Sequence, residues 1–141
     1  MTNRELTILG ASLYACEGTK ARRDYRRKNG YIYSIEITNS DPRIIKIFSK
    51  FLRKIICADW SRVRGQLFTY PDLNEVLLKN EWSKISKIPI SQFQKSICLK
   101  QKFGKFKSNP MGTFKLRYSH KNDFLKLQEM IDQLWRDARV V

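Results

Sequence analysis

The sequence predicts one mixed α+β domain over residues 1–141, with elements in the order α-ββ-α-β-α-ββ-α and its helices segregated from its strands. Three observations lead there. Leu6–Gly18 is apolar almost all the way round, as a helix buried on more than one side must be. Asn29-Gly30 joins two strand-like segments, a hairpin signal because both turn residues accept φ > 0. Asp41-Pro42 opens a stretch with a single apolar stripe, the pattern of a capped surface helix.

Thr2 and Glu5 have capping-box spacing and start the first helix. The helix is rich in small residues. Ser12 and Cys16, four apart, lie one above the other and leave room for a second helix to approach. Gly18 is expected to stop it. Glu17 sits at its C-terminus, where the helix dipole disfavours negative charge. A local rule broken at one point marks a candidate site.

The segment from Thr19 to Lys28 is very basic. As one long strand it would place Lys20, Arg22 and Arg26 on one face and Arg23 and Arg27 on the other. After the Asn29-Gly30 turn, Tyr31–Thr38 alternates. Tyr31, Tyr33, Ile35 and Ile37 face one way; Ile32, Ser34, Glu36 and Thr38 face the other. Such a two-stranded ribbon fits a DNA major groove, or it is simply a solvated hairpin. In the second helix Ile44, Phe48, Phe51, Leu52 and Ile55 form the expected core stripe, with Lys46, Lys50, Arg53 and Lys54 on a solvated face.

The strand Arg62–Tyr70 turns Val63 and Leu67 one way and Arg62, Arg64 and Gln66 the other. Arg pairs with guanine and Gln with adenine, so that face reads bases or else contacts phosphates only. Asp72 and Glu75 start a third helix, packed by Leu73, Val76, Leu77 and Trp82. Ser96–Lys100 reads as a strand. Phe103 and Phe106 lie among the lysines of the following loop, Lys105 between them. That interleaving suits stacking plus phosphate contact, or a loop tucked onto the core. In Thr113–Tyr118, Lys115 and Arg117 lie opposite Phe114, Leu116 and Tyr118. The last helix presents Phe124, Leu127, Ile131, Leu134 and Trp135 to the core.

Composition narrows the partner. There are 28 basic and 13 acidic side chains, a net charge of +15. The basic residues fall in strand-like segments rather than in a tail, so the excess points to nucleic acid. Three widely spaced cysteines read as free thiols of a reducing compartment, cytoplasmic or organellar. No targeting segment is visible, and no apolar run reaches the ~18 residues of a membrane span. With His120 the only histidine, histidine-based nuclease sites and Ser-His-Asp triads lack parts, and there is no P-loop or paired CxxC.

Gly10-Ala11-Ser12-Leu13-Tyr14-Ala15-Cys16-Glu17-Gly18 resembles the LAGLIDADG motif of homing endonucleases, with Glu17-Gly18 as its terminal acid-glycine pair. Thr38-Asn39-Ser40-Asp41-Pro42 resembles a helix start of one bacterial and archaeal branch of that family. The resemblance implies an αββαββα fold with helices on one face of a saddle-shaped antiparallel sheet. The helix after Tyr70 would then be an insertion before the last strands.

It also implies a homodimer, joined helix to helix through Ile8, Ser12, Ala15 and Cys16, because one chain carries one motif. The paired Glu17 carboxylates and Cys16 backbone carbonyls would hold Mg2+ or Mn2+. Lys121, or failing that Lys115, would be the catalytic lysine. The activity implied is site-specific cleavage of double-stranded DNA at a long pseudo-palindromic site, as in intron or intein mobility. The same fold can instead serve as a non-cleaving DNA-binding regulator or an RNA splicing maturase.

Overall fold

The computed structural model describes residues 1–26, 28, 30–100 and 109–139. The order is α1 (Asn3–Glu17), β1 (Arg22–Asp24), β2 (Gly30–Ile32), β3 (Ser34–Asn39), α2 (Pro42–Phe51), β4 (Val63–Thr69), α3 (Glu75–Ser86), β5 (Ile97–Cys98), β6 (Thr113–Ser119) and α4 (Lys121–Asp137). β1 and β2 form a separate ribbon, and the main sheet runs β3-β6-β4-β5. The mixed α+β class is as expected.

Short-range chemistry sets the helix starts. Thr2 and Glu5 close the capping box of α1. Asp41 accepts the Arg43 N–H, and Pro42 begins α2. Asn74, not Asp72, caps α3, accepting the Leu77 N–H. His120 caps α4 through Nδ1, which accepts the Asp123 N–H.

One face of the sheet is the core. Across β3, β6 and β4 its rows are Ile35–Tyr118–Val63, Ile37–Leu116–Gly65 and Asn39–Phe114–Leu67. All four helices pack against these strands. Trp82 of α3 stacks on Phe114, ring centroids 5.0 Å apart, and its Nε1–H donates to the Met111 carbonyl. Gly10 lets α2 reach α1, since a Cβ there would come within 2.2 Å of the Phe51 ring. Its smallness therefore serves packing within the chain.

Several expected elements differ. The hairpin exists, but its register pairs Asp24 with Gly30, so β1 is short and residues 25–29 connect the strands rather than a two-residue turn. Arg26 leaves the predicted strand face and pairs with Asp24. Arg27 lies outside the described residues, as does Lys105 with Phe103 and Phe106. The second strand breaks at Tyr33, separating β2 from β3.

β5 pairs parallel to β4 because α3 forms a crossover between them, as parallel neighbours require. The sheet is therefore mixed rather than antiparallel. In α2 Ile45, not Ile44, is buried, and a π-turn over Leu52–Ile56, which rotates less per residue than an α-helix, delays the phase so that Ile56 rather than Ile55 turns inward. In α3 Val76 and Leu77 are exposed while Leu78 and Trp82 are buried, and Trp135 of α4 is half-exposed.

Candidate nucleic-acid interface

The sheet face away from the helices carries the rows Glu36–Arg117–Arg64 and Thr38–Lys115–Gln66. Alternation along each strand sends these side chains opposite the core residues. Arg117 and Arg64 lie directly across from one another. Like charges so placed repel, and a polyanion lying over them removes that cost.

Glu36 is buried, and it organises the cations around it. Arg117 Nε comes to 3.1 Å, Arg22 Nη2 to 3.5 Å and Lys115 Nζ to 3.9 Å of its carboxylate. Arg117 and Lys115 meet Oε1 as ions, Arg117 off the direction a hydrogen bond needs and Lys115 beyond hydrogen-bond distance. Three cations around one carboxylate leave an excess of positive charge at the surface. Glu36 is thus no direct DNA contact as the alternation suggested. Nor is Ser34, which is buried with its Oγ 3.2 Å from that of Ser119.

Other expected contacts are partly engaged within the chain. Arg62 lies in a 3-10 turn ahead of β4, and its Nη2 donates to the Ser119 carbonyl at 2.7 Å, so it does not share the Arg64–Gln66 face. Arg64 donates to the Ser61 and Val63 carbonyls, and Gln66 to that of Lys95. Arg23 lies against the exposed Tyr25 ring.

The end of α1 meets the sheet edge. Gly18 bridges to Ile37, and the Thr19 N–H donates to the Glu36 carbonyl. This places the exposed Glu17 beside the outer edge of β3, near the Thr38–Lys115 row. Lys20 folds back so that Nζ donates to the Ala15 carbonyl at 3.0 Å, bringing a cation to a helix end whose last turn has none.

Gly18 itself is in extended backbone (φ −80°), not the left-handed form. Glycine is needed there because a Cβ would strike the Tyr14 ring at 2.3 Å. Lys121 lies at the other end of the ladder. It follows Ser119, which pairs with Ser34, and its ammonium rests 5.4 Å from the centre of the Tyr33 ring. Thr38 and Ser34 are four strand residues apart, roughly 13 Å. Lys115, rather than Lys121, is therefore the lysine on the row nearest Glu17.

Tyr14 is the residue that sequence reasoning missed. Its hydroxyl donates to the Thr19 carbonyl and lies 3.3 Å from both the Ser34 carbonyl and the Glu36 N–H, pinning α1 to β3. The available signal was a polar tip on a buried helix face, one turn before Gly18. Burial pushes the Tyr14 hydroxyl from 10.0 up to about 12; the Glu36 N–H acts against this and the Glu36 charge adds to it. The unfolded chain then ionises first as pH rises. Stability from this group is complete below pH 10.0 and is lost as pH climbs towards about 12. Tyr14→Phe should melt lower than the parent at neutral pH but lose less stability across that alkaline interval. Equal alkaline slopes in thermal melts would contradict the assignment.

The solvent side of α1 carries Glu5, Ile8, Leu9, Ser12 and Cys16, with Ile8 43% and Leu9 38% exposed. Ile8, Ser12 and Cys16 thus lie on the outer stripe as expected, but Ala15 is half-buried against the core. All three cysteines are free and exposed. Among the described residues no group of three His, Cys, Asp or Glu is placed to hold a metal ion. Glu17 and the Cys16 carbonyl are hard oxygen donors of the kind Mg2+ and Mn2+ take, but one chain supplies too few of them. No described helix is long and apolar enough to cross a membrane. No family model matches this chain, and no curated protein and no solved structure matches it significantly.

Proposed function

We propose that the chain is a homodimeric, metal-dependent, site-specific double-stranded DNA endonuclease of the LAGLIDADG kind. The observation that carries this reading is the open sheet face, where Arg22, Lys115 and Arg117 surround a single buried carboxylate and Arg64 lies across from Arg117. Glu17 at the edge of that face, beside the unpartnered stripe of α1, supports it further. A second copy on the stripe brings two Glu17 carboxylates and two Cys16 carbonyls together, which makes up the shortage of metal donors. Close carboxylates repel and are held by a cation between them. A bound Mg2+ or Mn2+ would supply an activated water and stabilise the leaving oxygen. The chain's own part is to hold the strand. Arg117, Lys115 and Arg22 bind phosphates, Arg64 and Gln66 reach base edges, and Lys115, nearest the acid, steadies charge developing on the phosphate.

The deciding experiment presents the protein with a plasmid library containing DNA that flanks its gene, with Mg2+, Mn2+ or neither. Metal-dependent double-strand cleavage at one site is the expected result. A target gripped but nicked under neither metal ends the endonuclease reading and leaves a DNA-binding protein. Binding should weaken with salt with a log–log slope of roughly −0.9 per phosphate contact. Ser12→Leu should split the dimer by overpacking the stripe. A parent protein that is monomeric by light scattering at micromolar concentration would count against the pairing.

A further inference from the structure

A cleft of about 450 Å3 opens at the far end of the ladder from Glu17, between the β1–β2 ribbon and the start of α4. Its volume lies within the roughly 300–1,000 Å3 typical of small-ligand sites. Arg62, His120, Lys121, Tyr31 and Tyr33 line it. We propose that this cleft is a nucleotide subsite, in which Arg62 and Lys121 hold a phosphate and the Tyr31 ring stacks a base. The proposal extends the DNA-binding reading. It also gives Arg62 and Lys121 work at a place remote from the acid.

The groups present suit that chemistry. Arg62 uses one nitrogen to donate to the Ser119 carbonyl, which fixes the guanidinium while leaving donors free for a phosphate. Lys121 rests over Tyr33, so its ammonium is held at the cleft wall. His120 accepts the Asp123 N–H at Nδ1, so the neutral ring carries its proton on Nε2 and has a donor to offer.

Among the described residues no carboxylate lines the cleft. The nearby acids are engaged, Asp59 with the Ser61 hydroxyl and Asp123 with the Tyr118 hydroxyl. Tyr31 is 54% exposed, and its ring centroid lies 6.2 Å from that of Tyr33, so about half of the side chain is available to a base beside a second aromatic ring.

A nucleotide could arrive free or as one unit of a nucleic-acid strand, and one titration separates the two. Isotope-labelled protein is titrated with inorganic phosphate, with thymidine monophosphate and with a short duplex, following backbone amide shifts. Phosphate should move Ser119, His120 and Lys121. The nucleotide should move Gly30 and Tyr31 as well and bind roughly tenfold or more tightly than phosphate. Tyr31→Ala should erase that preference, while Arg62→Gln or Lys121→Gln should weaken both ligands; spectral dispersion checks that each variant is folded.

Absence of saturable shifts at these residues, or a nucleotide preference that survives Tyr31→Ala, overturns the proposal. A duplex that displaces the nucleotide assigns the cleft to a strand; a duplex that binds beside it assigns the cleft to a free nucleotide. If nucleotides bind and duplex does not, the endonuclease reading fails and the cleft stands. If the duplex binds and the cleft stays silent, the reverse holds.

Discussion

Glu17→Gln is expected to abolish DNA cleavage while leaving DNA binding in place. The amide keeps the size of the carboxylate but loses the charge that a hard divalent ion requires. Folding should be unaffected, because Glu17 is exposed and glutamine propagates helices about as well as glutamate. The contacts that pin the helix end, from Tyr14, Gly18 and Thr19, do not involve the Glu17 side chain. The loss of rate should reach roughly 10²–10³-fold or more, the scale of removing one strong electrostatic stabiliser of a transition state. Binding should hold or improve, since one negative charge leaves each chain beside the DNA phosphates. Cleavage and gel-shift assays on the same target separate the two effects. A variant that cleaves as fast as the parent would remove Glu17 from the chemistry.

Trp82→Ala should be the most damaging single truncation in the core. Trp82 is fully buried, stacked on Phe114 and hydrogen-bonded to Met111, and it ties α3 to the sheet. Large aromatic-to-alanine changes in cores cost about 3–5 kcal/mol. For a domain of this size that corresponds to a fall in Tm of roughly 10–15 °C. The measurement also shows how α3 belongs to the domain. A single lowered transition means that α3 unfolds with the rest. A separate early transition, with the main one unmoved, would make α3 an independent attachment.

Much of the fold was legible because the deciding interactions are local. The capping box at Thr2 and Glu5 and the Asp41-Pro42 start of α2 involve neighbours in sequence. The alternation of β4 and β6 follows from strand geometry alone, so the open face of Arg64, Gln66, Lys115 and Arg117 could be read directly. The small positions of the outer stripe of α1 were visible in the four-residue spacing of Ser12 and Cys16. Where a helix was apolar on adjacent positions, the reading slipped. Ile44 and Ile45, or Leu77 and Leu78, are equally apolar, and only the neighbouring elements select the one that is buried.

The amino-acid order was thus sufficient for the class of fold, the order of the elements apart from the break at Tyr33, the cationic character and the misplaced acid at the end of α1, all of which rest on short-range patterns and charge. Tertiary structure decided the rest, because each remaining feature needs a partner from a distant part of the chain. Gly10 is small on account of Phe51, and Glu36 is buried beneath Arg22, Lys115 and Arg117. Arg62 is drawn off the sheet face by the Ser119 carbonyl, and β5 lies parallel because α3 carries the chain back over the sheet. The separation of Lys121 from Glu17 follows from strand register, which hydrogen bonds between β3 and β6 set and which spacing along the chain does not encode.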